Sequence, residues 1–273
     1  MQKKFPGFWM TFIILTGIQL VMTTFPFFFK YVAGRQIDFN SNWDITILIL
    51  LQALVFGSVG VFIILYNQQN LWSLFSFKYN SLKLYISAVF IVIGLNILLS
   101  EADNLFRMFY PMPPEVAKVF FELLLNRDHL WFHILVICLT VPLCEELLFR
   151  GGLLLSYLGR YNSGIAILMS AFFFAYLHTP WQFLSAFIFG IILAWVFTET
   201  RCLWPSLFMH GLNNSMGFIT RNLLRIKVPG YTELGGGEVL LQPLWFDLFG
   251  VFFTILGLVL LLDVFKRKLS LTV

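Results

Sequence analysis

The sequence predicts an all-α fold: a polytopic membrane bundle of about eight transmembrane helices, forming a single membrane domain over residues 1–273. Three observations predict it. Of the 273 residues, 59% are hydrophobic and only 12% charged, whereas a soluble domain carries about 25% charged residues. The apolar residues gather in runs near the ~20 positions that a helix needs to cross hydrocarbon. Thirty-three phenylalanines suit helix surfaces that face lipid.

The elements follow in order. The run at 8–33 is read as a retained first helix, because no small-residue cleavage site follows it. Runs at 45–66 and 82–100 give the second and third spans. Pro111-Met112-Pro113-Pro114 then opens a segment with Val116, Val119, Phe120, Leu123 and Leu124 on one face and Glu115, Lys118 and Glu122 on the other. That i, i+3, i+4, i+7 spacing predicts a helix lying in the membrane interface near 115–126. The fourth span is 129–157. The fifth and sixth, 163–178 and 181–198, are short and divided by a tight break at His178-Thr179-Pro180. Spans at 204–224 and 245–265 complete the bundle, and the loop 228–243 between them is read as mobile because it holds Gly235-Gly236-Gly237.

An even number of spans puts both ends on one side. Lys3-Lys4 and Lys266-Arg267-Lys268 flank those ends, so cytoplasmic termini are expected, although with these ends inside, and counting them, Lys and Arg divide almost evenly between the two sides. A bacterial cytoplasmic membrane is the expected location. The net charge of +4 is dispersed and forms no basic patch, which excludes nucleic acid as a partner. The lipid bilayer is the partner that composition requires; oligomeric state is left open. Three cysteines in or beside apolar runs give no disulfide framework.

Against this background, Val141-Pro142-Leu143-Cys144-Glu145-Glu146-Leu147-Leu148-Phe149-Arg150 stands out. Three ionisable residues within six positions deep in an apolar span cost a few kcal/mol or more each unless something compensates. Glu146 and Arg150, four apart, share a helix face and can pair. Glu145 points about 100° away and needs a partner on another helix, or a proton. Pro142 stands where a helix starts or kinks without disturbing the hydrogen bonds of the glutamates.

Two further pairs lie in later spans, Phe174-x-x-x-His178 and His210-x-x-x-Asn214. Taken alone, His178 reads as a packed histidine bonded to a carbonyl, and His210 with Asn214 as hydrogen-bond glue between helices. His129 and His133 share a face too, but near Asp128 and Trp131 they read as interfacial. At 1.5 Å rise per residue, measured from the side where the fourth span ends, Glu145 lies about 18–20 Å deep, His178 about 22 Å, and His210 and Asn214 at roughly 9–20 Å. All four can therefore meet near mid-membrane. One free carboxylate, two imidazoles and an amide suit activation of water, either by a divalent metal held by Glu145, His178 and His210 with an open position, or by Glu145 and a histidine alone. A carbonyl is the natural target, with Asn214 or a histidine donating to the oxyanion. Cys144 adjoins two negative charges that disfavour a thiolate. The chain has no His-Glu-x-x-His, Gly-x-Ser-Gly or Gly-x-Gly-Asp.

In order and spacing, Glu145-Glu146-x-x-x-Arg150, Phe174-x-x-x-His178 and His210-x-x-x-Asn214 resemble the three motifs of the CPBP family of CAAX-processing and bacteriocin-processing membrane proteases, also called Abi or type II CAAX prenyl endopeptidases. The resemblance covers about residues 130–220; the first 128 residues resemble nothing in particular. It implies a catalytic core over 129–224, with Glu145 activating water and Glu146 and Arg150 holding the first motif in shape. It also implies that His178 and His210 take part in water or metal binding, and that Asn214 serves as oxyanion donor. A divalent metal, zinc, and a membrane-associated, lipidated or small secreted substrate go with it. The expected function is intramembrane peptide-bond hydrolysis. The alternatives are a non-catalytic immunity or scaffold protein, or a proton-coupled transporter using Glu145; the absence of a visible inverted repeat speaks against transport.

Overall fold

A computed structural model describes residues 4–34, 41–76, 81–113, 130–233 and 239–270. The expected interfacial helix at 115–126, His129 and the Gly235–Gly237 run lie outside the described residues.

Among the described residues the chain is helical and has no strands. Eight helices follow one another: α1 (Phe8–Ala33), α2 (Asn42–Tyr66), α3 (Leu82–Phe109), α4 (residues 130–158), α5 (Ser163–Tyr176), α6 (Phe183–Thr200), α7 (residues 203–223) and α8 (Leu244–Ser270). Six described segments are long and apolar enough to cross a membrane, so the chain is an integral, multi-pass membrane protein. At 14 residues, α5 reaches only about 21 Å. The other helix outside the six is α7, which carries His210, Asn213, Asn214 and Arg221.

Local chemistry sets several starts. Ser41, Ser81 and Asn162 each accept a hydrogen bond from a backbone N–H three residues on, satisfying donors that the first turn leaves open. The break between α5 and α6 is a short 3₁₀ turn, Pro180–Gln182, where proline supplies no N–H and starts the next helix.

One boundary differs from the sequence reading. Instead of ending near residue 100, α3 runs on to Phe109. Hydropathy alone stops at the first charged residue, but here neighbours absorb the polarity. Asn104 Nδ2 donates to Glu101 Oε2 (2.9 Å) and to the Gly230 carbonyl (2.8 Å), while the Gln242 amide donates to Glu101 Oε2 (3.0 Å). Within that loop, Val228–Glu233 is folded into a turn against α3.

Two apolar cores hold the bundle. Leu148, Phe149, Phe173, Phe174 and Phe197 anchor one between α2, α4, α5 and α6; Ile91, Leu193, Met209 and Leu261 anchor the other between α3, α6, α7 and α8. Helix α1 buries only about 6% of its apolar stretch, as expected of a lipid-facing helix. Helix α2 reaches α4 through Gly60, where an added Cβ would stand 2.6 Å from the Leu148 nitrogen and 2.7 Å from the Leu147 carbonyl carbon. Close backbone approach of this kind replaces hydrophobic driving force inside lipid. A Gly60→Ala chain is expected to lose about 1–3 kcal/mol through overpacking, read as a lower thermal midpoint in detergent. An unchanged midpoint would show that the two backbones are farther apart.

Candidate active site

The helix that carries the glutamates is not uniformly α. Its hydrogen bonds widen to the five-residue register over Leu135–Thr140 and again over Leu147–Leu154, flanking an ordinary turn at Val141–Glu146. Such π segments re-aim side chains and recur at functional sites. Proline explains part of the first. The Val141 N–H donates to the Val136 carbonyl; the next bond in that register would run from Pro142, which has no N–H, to the Ile137 carbonyl. Asn214 Nδ2 of α7 donates to this carbonyl at 3.0 Å. Gly211, on the preceding turn of α7, lets the helices meet: a Cβ there would lie 2.6 Å from the Cys138 carbonyl oxygen.

Glu146 and Arg150 pair as their spacing requires, Nη1 to Oε1 at 3.0 Å, with neither side chain exposed. The guanidinium also donates through Nη2 to the Gly190 carbonyl of α6 (3.2 Å) and lies 4.7 Å from the centre of the Phe174 ring. It thus ties α4 to α5 and α6. His210 Nδ1 sits 3.0 Å from the same Glu146 oxygen. With Glu146 ionised beside Arg150, Nδ1 carries the proton and donates, which leaves Nε2 for chemistry.

That free nitrogen faces Glu145, whose Oε2 lies 3.6 Å away. An ionised Glu145 and an unprotonated Nε2 are both acceptors, so the two need a shared proton or a water that donates to each. The Glu145 side chain is 14% exposed, against 4% for His210, so water can reach it. The gap exceeds a direct hydrogen bond, and a water donating to both atoms sits beside the line that joins them. His178 Nδ1 donates to the Phe174 carbonyl at 2.8 Å, the carbonyl bond foreseen for a packed histidine, and its Nε2 is left as the acceptor. Phe174 packs on both imidazoles, with ring centres 4.7 Å from His178 and 5.5 Å from His210.

His178, His210 and Asn214 share the wall of a cavity of about 300 Å³; Glu145 is not on that wall and meets it through His210. All six motif residues thus fall in one neighbourhood, with Glu146 and Arg150 as its buried support. Asn214 has one N–H committed to Ile137, so a single amide hydrogen remains for a ligand. Cys144 is turned to α2, against Gly57, away from the histidines. His133 is buried and joined to Thr46 of α2 at 2.6 Å.

The sequence reading missed the opposite wall. Asn96, Ser100, Asp103 and Arg107 of α3 line the same cavity. Their 4-3-4 spacing marks one helix face, a signal visible in the sequence had α3 been carried past residue 100. Tyr231 closes this side, donating to Asn96 Oδ1 at 2.7 Å. Burial pushes its phenol up to about 12, so it stays a neutral donor.

As potential metal ligands, Glu145 and His210 face each other, with Glu146 orienting the imidazole in the way a metal-bound histidine is usually held. His178 does not join them: among the described residues no three His, Cys, Asp or Glu side chains group closely enough to hold one ion. This arrangement does not fit the three-ligand set, and no step below runs through a metal.

Residues 127–216 match the model of the type II CAAX prenyl endopeptidase Rce1-like family. The match covers about a third of the chain and contains all three motifs, in accord with the resemblance seen in the sequence. No curated protein and no solved structure matches the chain. The family likeness supports a CAAX-type intramembrane protease.

Proposed function

We propose that the chain is an intramembrane endopeptidase that hydrolyses a peptide bond in a membrane-associated protein or peptide. The observation that carries this reading is the His210 imidazole held between Glu146 (3.0 Å) and Glu145 (3.6 Å) at the edge of a cavity it shares with His178 and Asn214. A water seated against Glu145 gives it a proton, and the resulting hydroxide adds to the scissile carbonyl carbon. The remaining Asn214 N–H donates to the oxyanion. Collapse breaks the C–N bond, and the proton on Glu145 passes to the leaving amine, with the His210 or His178 Nε2 as the relay. The low-dielectric surroundings strengthen each of these interactions.

The test is purified protein in liposomes with a pool of membrane-anchored peptides, the products read by mass spectrometry. New peptide ends that depend on the protein are expected. No cleavage together with pH-driven solute uptake would replace the hydrolase by a transporter; neither cleavage nor uptake would favour the scaffold. Zinc, expected from the family resemblance, is tested separately. One chelatable equivalent per chain, lost together with turnover, would establish it and require His178 to move. The arrangement described here predicts turnover that outlasts chelation.

A further inference from the structure

Away from the active site, another cavity of about 460 Å³ opens where α1 begins and α4 hands over to α5. Phe8, Trp9 and Met10 line one side of it, and Arg160, Tyr161 and Met169 the other. Its rim is cationic. Arg160 Nε donates to the Lys4 carbonyl, and the Lys4 stem lies over Gly159, where an added Cβ would stand 3.1 Å from Lys4 Cδ. Neither cation meets a carboxylate among the described residues, and the first turn of α1 holds no acid. Arg160 stands two residues beyond the α4 span, which ends at Leu158, and Phe8 opens the α1 span. The cavity therefore lies at the level of the lipid headgroups. Trp9 and Tyr161 are exposed there, as aromatic residues at the membrane–water boundary are.

Below the rim the floor is apolar. Phe8 packs on Phe173 with ring centres 5.0 Å apart, and Met10 and Met169 flank it. Water alone would leave this floor wet, an unfavourable state that grows with its area. A small inorganic anion would meet the guanidinium and leave the floor uncovered. A bilayer lipid answers both needs: its phosphate fits the planar fork of Arg160, and its glycerol and upper acyl carbons cover Phe8, Met10 and Met169. Two cations with no acid beside them favour an anionic headgroup over a zwitterionic one, which carries a cation of its own. We propose that this cavity is the binding site of one anionic phospholipid, seated between α1 and the α4–α5 turn. Little of α1 is buried in the bundle, so the lipid adds contacts that hold α1 to the helices carrying the active site.

The test uses the full chain in neutral detergent, titrated with short-chain phosphatidylglycerol, with phosphatidylcholine of the same chain length, and with inorganic phosphate. Bound lipid is counted by native mass spectrometry, and the thermal midpoint is read alongside. One phosphatidylglycerol should bind per chain, about thirtyfold more tightly than phosphatidylcholine, at roughly fivefold for each cation near a membrane surface. It should also raise the midpoint. The preference should shrink about fivefold in Lys4→Gln, whose side chain makes no bond to the described residues, so this arm stands even if an Arg160 variant fails to fold. It should vanish in Lys4→Gln with Arg160→Gln, return in part in Arg160→Lys, which keeps the charge but not the fork, and weaken as salt is added. Equal binding of the two lipids, a preference unchanged in the double variant, or a midpoint rise as large with inorganic phosphate as with phosphatidylglycerol would overturn the site.

Discussion

An Arg150→Met chain should lose about 3–5 kcal/mol of stability, the cost of stranding one member of a buried ion pair. Glu146 would remain in a site with no exposure, with His210 and the Ser206 hydroxyl as its neighbours. The substitution also removes the donor to Gly190 and the cation against Phe174, so α4, α5 and α6 lose their shared tie. Such a loss is a large part of the 5–15 kcal/mol that holds a typical domain together. Arg150→Lys should recover only part of it, because an ammonium cannot reproduce the planar fork that reaches Glu146 and Gly190 together. The double variant Glu146→Gln with Arg150→Met carries no buried charge here and should be more stable than Arg150→Met alone. Thermal midpoints in detergent check the order. Equal midpoints for the single and double variants would show that charge pairing is not what Arg150 contributes.

Much of this site was legible in the sequence because hydrocarbon makes polar residues conspicuous. Glu146 and Arg150 could be paired from spacing alone, and Glu145 needed a group on another helix because its own offered none; the group it faces is His210, 3.6 Å away. The order of the spans was legible for the same reason, since their lengths follow bilayer thickness. What was not legible depends on contacts between helices. The extension of α3 through Glu101, Asp103 and Arg107 is polar, and only its bonds to Gly230 and Gln242 make it part of the buried structure. The π turns around the glutamates leave no period in the sequence; Pro142 hinted at a break, but not that Asn214 would take up the Ile137 carbonyl. The Asn214 amide is consequently half committed, where the motif alone offered all of it to an oxyanion.

The most direct measurement is turnover of a Glu145→Gln chain on whichever membrane-anchored peptide the wild type cleaves. The amide keeps the volume and a contact to His210, but it cannot take a proton from water. Since Glu145 is partly exposed and bears no structural ion pair with Arg150, the thermal midpoint should move little. Turnover should fall by about 10³-fold, within the range that general-base catalysis contributes. A folded Glu145→Gln chain that cleaves at the wild-type rate would contradict the account.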